Sequence, residues 1–292
     1  MKERFFWVAL SLIGISWMLN SIYAYSKQLD EPIFLDHYID AEYQDDFYMT
    51  FYYLTNKNNS SVVSSVSTGE LIGYPEDSYF FDEQVQNNQV FNHHVLRSTN
   101  VRFNFDPTTH TENYSFTEID VSFSAGNRIT VPIGIVTIRP RVIEESPLEQ
   151  VSSSGDGYHY RALEPLTIEM IKSSFQDVLQ DNFFIKINSS STPSLPERTY
   201  EKFLDQEWSR LPGLDLQNIQ FPLNLKKSKR ISVYSQFAAD FKAVLDVNIY
   251  ISGTTESGKP FSTVGGLIVR PYLEQKDVNA IIKEKTKGDT NG

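Results

Sequence analysis

With 292 residues, no cysteine and a formal net charge of −11, the chain has material for one large or two ordinary domains. The missing cysteine excludes disulfides, thiolate catalysis, cysteine zinc sites and lipidation on cysteine. The acidic balance opposes binding to nucleic acid, where cationic side chains on phosphates dominate affinity.

The chain opens with a short charged head, Lys2, Glu3 and Arg4, followed by an uncharged run from Phe5 to Tyr25, FFWVALSLIGISWMLNSIYAY. As a helix this run is about 31 Å long, matching the hydrocarbon thickness of a bilayer. Residues 1–25 therefore read as a membrane anchor or a signal peptide, with the lipid bilayer as partner through residues 5–25. Phe5 to Leu19 also suits a signal core, but Tyr23 and Tyr25 make Ile22-Tyr23-Ala24 a poor cleavage site. Lys2 and Arg4 precede the run, and the flank after it has one cation, Lys27, but is mostly acidic, with Asp30, Glu31, Asp36 and Asp40. Basic residues stay on the cytoplasmic side, so the expected topology is single-pass, N-terminus inside and body outside. Cleavage would make the protein secreted. Asp36, His37, Asp40, Glu42, Asp45 and Asp46 read as a solvated linker beside the membrane. Calcium would need six or more convergent oxygens, which this cluster does not promise.

From 30 to 145 the pattern is that of strands. Phe47 to Leu54 is aromatic and strand-forming. Val62 to Val66 and Leu71 to Tyr74 are weaker, and Gln89 to Phe105 is longer. Ile119, Val121 and Phe123 alternate, Ser124 to Asn127 turns, and Ile129, Val131, Ile133 and Ile135 alternate again, which is a β-hairpin. Pro132 and Gly134 predict an edge position or a bulge in its second strand. Residues 143–158, rich in Ser, Glu and Gly, read as a linker.

The region 158–275 adds helices. Leu166, Met170, Ile171, Phe175, Val178 and Leu179 follow a helical period over Pro165 to Asp181. Ser194 to Glu197 has the form of a capping box, leading an apolar stripe of Tyr200, Phe203, Leu204 and Trp208. Strands follow at Phe183 to Ile187, Ile231 to Tyr234, Ala243 to Ile251 and Phe261 to Val269. Lys226, Lys227, Lys229 and Arg230 read as a solvated loop. Residues 276–292 form a polar tail with a short helix at Asp277 to Lys285. Both halves close on a hairpin ending in Arg-Pro, at Arg139-Pro140 and Arg270-Pro271, which suggests a weak internal duplication. The expected fold class is α+β: mainly antiparallel β in two β-rich halves, two or three helices in the second, and one N-terminal hydrophobic helix.

No G-x-S-x-G elbow, H-E-x-x-H, P-loop, calcium loop or Rossmann glycine pattern occurs. Adjacent His93 and His94 would face opposite ways on a strand, so no metal is expected, and no cofactor either. The most ligand-like segment is Tyr158-His159-Tyr160-Arg161, where exposed aromatics beside a guanidinium could stack on a sugar or grip a peptide. The alternative reading is a strand with alternate aromatics buried. The functional expectation is a membrane-anchored extracytoplasmic interaction or accessory protein. Its partner would be another extracytoplasmic protein or an envelope polymer, not nucleic acid. The competing expectation is a cell-envelope enzyme acting on a polymer or sugar.

Overall fold

The computed structural model describes residues 2–43, 47–76, 89–104, 112–140, 145–154, 157–189 and 208–288. It opens with α1 (Lys2–Tyr25). Among the described residues this is the one helix long and apolar enough to cross a membrane or serve as a signal segment. None of its apolar window is buried against the rest of the protein.

The first half follows as β1 (Ile33–Phe34), β2 (His37–Tyr43), β3 (Phe47–Asn56), β4 (Val63–Ser67), β5 (Ile72–Pro75), β6 (Gln89–Val90), β7 (His94–Phe103), β8 (Tyr114–Phe123) and β9 (Arg128–Pro140). The second half contains β10 (Leu148–Ser154), β11 (Gly157–Ala162), β12 (Leu166–Ser173), the single turn α2 (Gln176–Leu179) and β13 (Phe183–Ser189). It continues with β14 (Leu214–Asp215), β15 (Leu223–Leu225), β16 (Arg230–Phe237), β17 (Val244–Thr255), β18 (Pro260–Val269) and α3 (Gln275–Gly288). The α+β class holds, with antiparallel strands dominant and helices at the two ends.

The large sheet runs β1-β3-β7-β5-β4-β8-β9-β2-β17-β12-β15, with β18 also on β17 and β6 on β7. The smaller runs β10-β11-β16-β13-β14. Every pairing is antiparallel except those of β2, which lies parallel to both β9 and β17. β2 thus joins the two halves: His37 sits opposite Gly134 on one side and Val244 on the other.

Two apolar cores follow. The first gathers inward residues of β3, β7, β8 and β9, among them Phe51, Val101, Val121 and Val136. Its sheet curls far enough that Tyr53 of β3 meets Phe123 of β8, ring centroids 6.2 Å apart. The second lies between the two sheets and contains Tyr160, Ile168, Ile187, Ile231 and Val247. Neighbouring residues of β2 serve different cores, Ile39 the first and Tyr38 the second. Leu273 and fully buried Val278 bring α3 back onto the first core. Residues expected as a polar tail are therefore in large part a docked helix.

The predicted hairpin is β8–β9, with Gly126 in its turn at φ 93°. Pro132 and Gly134 mark a bulge rather than an edge: pairing jumps from Phe116↔Val136 to Glu118↔Pro132, and β9 is covered on its other side by β2. Gly134 has φ +85°, and a Cβ there would come 2.7 Å from the His37 carbonyl oxygen.

Three expectations fail locally. Pro165 to Asp181 is not a helix but β12 and a single turn. Leu166 and Ile168 point inward, a register shift falls between Ile168 and Met170, and Ile171 and Ser173 then point inward. That extra residue stretches a spacing of two into a spacing resembling a helix. Residues 148–154 of the expected linker are β10, paired with β11. The acidic stretch after α1 is no linker either, because His37 and Asp40 are buried in β2. Ser194, Tyr200, Phe203 and Leu204 lie outside the described residues, as do Phe105, Asp45, Asp46 and Ile143. Lys226, Lys227 and Lys229 are exposed between β15 and β16, as expected.

Candidate functional site

A cleft with a volume of about 870 Å³ lies at the foot of α1. Its construction begins where α1 ends. The Asn56 side chain clamps Leu29 in both directions, Oδ1 accepting from the Leu29 N–H at 2.8 Å and Nδ2 donating to its carbonyl at 2.7 Å. The His94 ring nitrogen Nε2 lies 2.8 Å from the Lys27 carbonyl. A carbonyl can only accept, so Nε2 carries the proton. The Tyr23 ring meets His93 edge-on at 6.0 Å, and Lys27 Nζ sits 5.4 Å from the centre of the Tyr23 ring. The exit of the helix is thus fixed to the β body rather than hung on a loose tether.

The opposite wall is α3, contributing Asn279, Ile282, Lys283 and Thr286, while Gln275 Oε1 accepts from the Asn92 N–H at 3.0 Å. Lys27, Lys283, Asp30 and Glu31 all line the cleft, and Lys285 is ion-paired to Asp36 at 2.5 Å. The lining is polar and mixed in charge. His94 is buried, and its Nδ1 has no hydrogen-bond partner among the described residues. Burial holds its pKa below the ordinary histidine value, helped by nearby Lys27 and His93, while the Lys27 carbonyl pushes the other way.

A second polar cluster sits where β2 leaves β17. Asp40, 5% exposed, accepts from Arg139 Nε at 2.5 Å and from the Tyr250 hydroxyl at 2.5 Å. Ser174 donates to the same carboxylate, and Asn248 Nδ2 donates to the Asp40 carbonyl at 2.6 Å. The Arg139 guanidinium lies over the Tyr250 ring, 5.0 Å from its centre. Burial and the Asp40 carboxylate together raise the Tyr250 pKa. Arg139 is therefore a tie between the halves. Arg270 is exposed, and its charge tempers the upward push that burial gives Asp246.

A third buried polar group is His37. Its Nδ1–H donates to the Leu35 carbonyl at 2.7 Å, and Nε2 accepts from the Tyr52 N–H at 3.2 Å. Complete burial pushes its pKa down to about 4. The ring is locked as a neutral tautomer by its two backbone partners.

Tyr158 to Arg161 lie on β11, where alternation divides them. Tyr160 is in the second core and Tyr158 half-buried beside it, rings stacked 6.4 Å apart over Gly265. Burial and the neighbouring Tyr158 push the Tyr160 hydroxyl up to about 12. His159 and Arg161 point to the other face. His159 Nδ1 is 2.7 Å from Ser232 Oγ, and Arg161 Nε donates to Glu149 at 3.0 Å. The four side chains do not share one surface. Sequence reading missed the cleft because its walls come from residues far apart in the chain. The buried His37 and Asp40 were hidden in an acidic stretch.

No protein-family model matches the chain, and no curated protein does. Among the solved structures similar to it are two at 9% identity. A crystal structure of the YadV chaperone covers 81% of this chain and 99% of its own, with a TM-score of 0.22. A structure of the Enterococcus faecalis MSCRAMM ACE, titled for ligand binding by a collagen hug model, covers 85% and 96%, with a TM-score of 0.20. Likeness this weak carries no argument about fold or function.

Proposed function

We propose that this chain is a membrane-tethered protein whose β body stands on the extracytoplasmic side and binds a partner, another protein or an envelope polymer, close to the bilayer. One observation carries the reading. α1 exposes apolar side chains on every side, Trp7, Leu12, Trp17 and Ile22 among them, and none of its apolar window is buried against the body. At about 25 cal/mol per Å² of apolar surface, a helix of this kind is stable in lipid and unfavourable in water. The charge bias around it, Lys2 and Arg4 before and Asp30, Glu31 and Asp36 after, supports an inside-to-outside orientation. Tethering raises the local concentration of the body near surface partners, and the cleft at the foot of α1 offers polar groups at that level.

The test is fractionation of the full chain from its own cells, with protease added to intact cells or spheroplasts. The expected result is a chain that stays with membranes through an alkaline wash, leaves only with detergent, and loses its body to external protease. Removal of residues 2–25 should release it from the membrane. A chain that washes off, or a body protected from external protease, refutes the proposal.

A further inference from the structure

We infer that two copies of this chain pair through the outer edge of β18, antiparallel and two-fold related about Gly266, so that their large sheets become continuous. β18 bonds to β17 along its whole length on one side, and among the described residues no strand lies on the other. Natural proteins guard such edges with charges, prolines, bulges or shortness. The other terminal strands do so. β1 and β14 have two residues each and β15 has three. β10 carries Glu149 and a register shift between Gln150 and Ser152. β18 is ten residues long, PFSTVGGLIV, with no charged residue, its only proline at the first position, and no register shift against β17.

The occupant follows from charge and register. Two copies of a chain with net charge −11 repel, and they approach most cheaply along an edge that carries no carboxylate. Val264 and Ile268 are exposed on the outward face of β18, 40% and 58%, on either side of Gly266. Two-fold pairing keeps like faces together, so residues two apart from the axis meet on one face. Centring on Gly266 sets Val264 of one copy opposite Ile268 of the other, twice, and Ser262 opposite Arg270. The result is an apolar stripe across the seam with no like charges apposed. The seam is small, so the pairing is argued for chains concentrated on one bilayer and rests on the tether proposed above.

The absence of cysteine makes the test direct. Val264→Cys and Ile268→Cys chains, full length, are expressed together or separately, oxidised mildly in their membranes, and assayed for disulfide dimers alongside Ser64→Cys as an exposed strand control. Membrane pelleting is scored on the same samples. Co-expression is expected to give a strong dimer, and each variant alone several-fold less, because opposite residues approach within bridging distance while diagonal ones do not. Adding Val264→Lys to the Ile268→Cys chain, paired with Val264→Cys chains, should lower the yield by placing a cation in the seam. A co-expressed yield no greater than the control overturns the inference, and if the chains still pellet, the tether stands without it. Self-crosslinking of Val264→Cys as strong as the mixture, or capture of a different protein in place of a second copy, overturns it too.

Discussion

His37 makes a sharp prediction about stability and pH. Its ring is fully buried between a carbonyl it donates to and an N–H it accepts from, so a second proton has no partner. Above pH 6.5 the imidazole is neutral in both folded and unfolded chains, and its contribution is fully present. Between an ordinary 6.5 and a folded value of about 4, the unfolded chain binds a proton that the folded chain refuses, so stability falls as pH falls. At about 1.36 kcal/mol per pH unit, the loss reaches about 3 kcal/mol by pH 4. His37→Gln keeps a donor and an acceptor but cannot titrate. It should cost about 1–2 kcal/mol at pH 7.5 through poorer hydrogen bonds, a gap that should close and then reverse as pH falls toward 4.5. The assay is urea unfolding of detergent-solubilised full-length chain at several pH values from 7.5 to 4.5, followed by intrinsic fluorescence. Contributions from His94, His159 and Asp246 persist in both proteins and cancel in the difference. Equal pH slopes for wild type and variant would refute the reasoning.

Further substitutions probe the strand that joins the halves and its contacts with β9. Asp40→Asn removes the countercharge of Arg139 and should cost about 3 kcal/mol, the scale of breaking a buried pair. Asp40→Asn with Arg139→Met should cost clearly less than the two single changes added together, because no buried guanidinium is left alone; additive unfolding energies would deny the coupling. Gly134→Ala places a Cβ against the His37 carbonyl at positive φ and should destabilise by about 2 kcal/mol or more. An unchanged melting temperature would show that β9 and β2 do not pack as described.

The sequence disclosed what repeats locally. The alternation through Ile119, Val121 and Phe123 needs no distant partner to be read, whereas α3, read as part of a polar tail, shows its buried Val278 only once the first core is there to receive it. β12 misled because one inserted residue shifts its inward positions from 166 and 168 to 171 and 173, a spacing that a helix also produces. β2 was unreadable for a different reason. Asp40 looks solvated until Arg139, 99 positions away, and Tyr250, 210 away, arrive to bond it. Burial of a charge is a property of the assembled partners, not of the local string. The cleft at the foot of α1 is hidden for the same reason, since Asn92 and Gln275 are 183 positions apart.

The parallel seat of β2 also sets a clock. Its register with β17 joins His37 to Val244, so the strand emerging soon after α1 waits until most of the polypeptide exists. At roughly 5–20 residues per second of synthesis, that wait is on the order of 10–40 s, during which β2 has one flank unclaimed. Long-range closure of this kind is slow. Asp40 and Glu42 of β2 are charges of the kind that disfavour pairing with a wrong strand on that unclaimed flank.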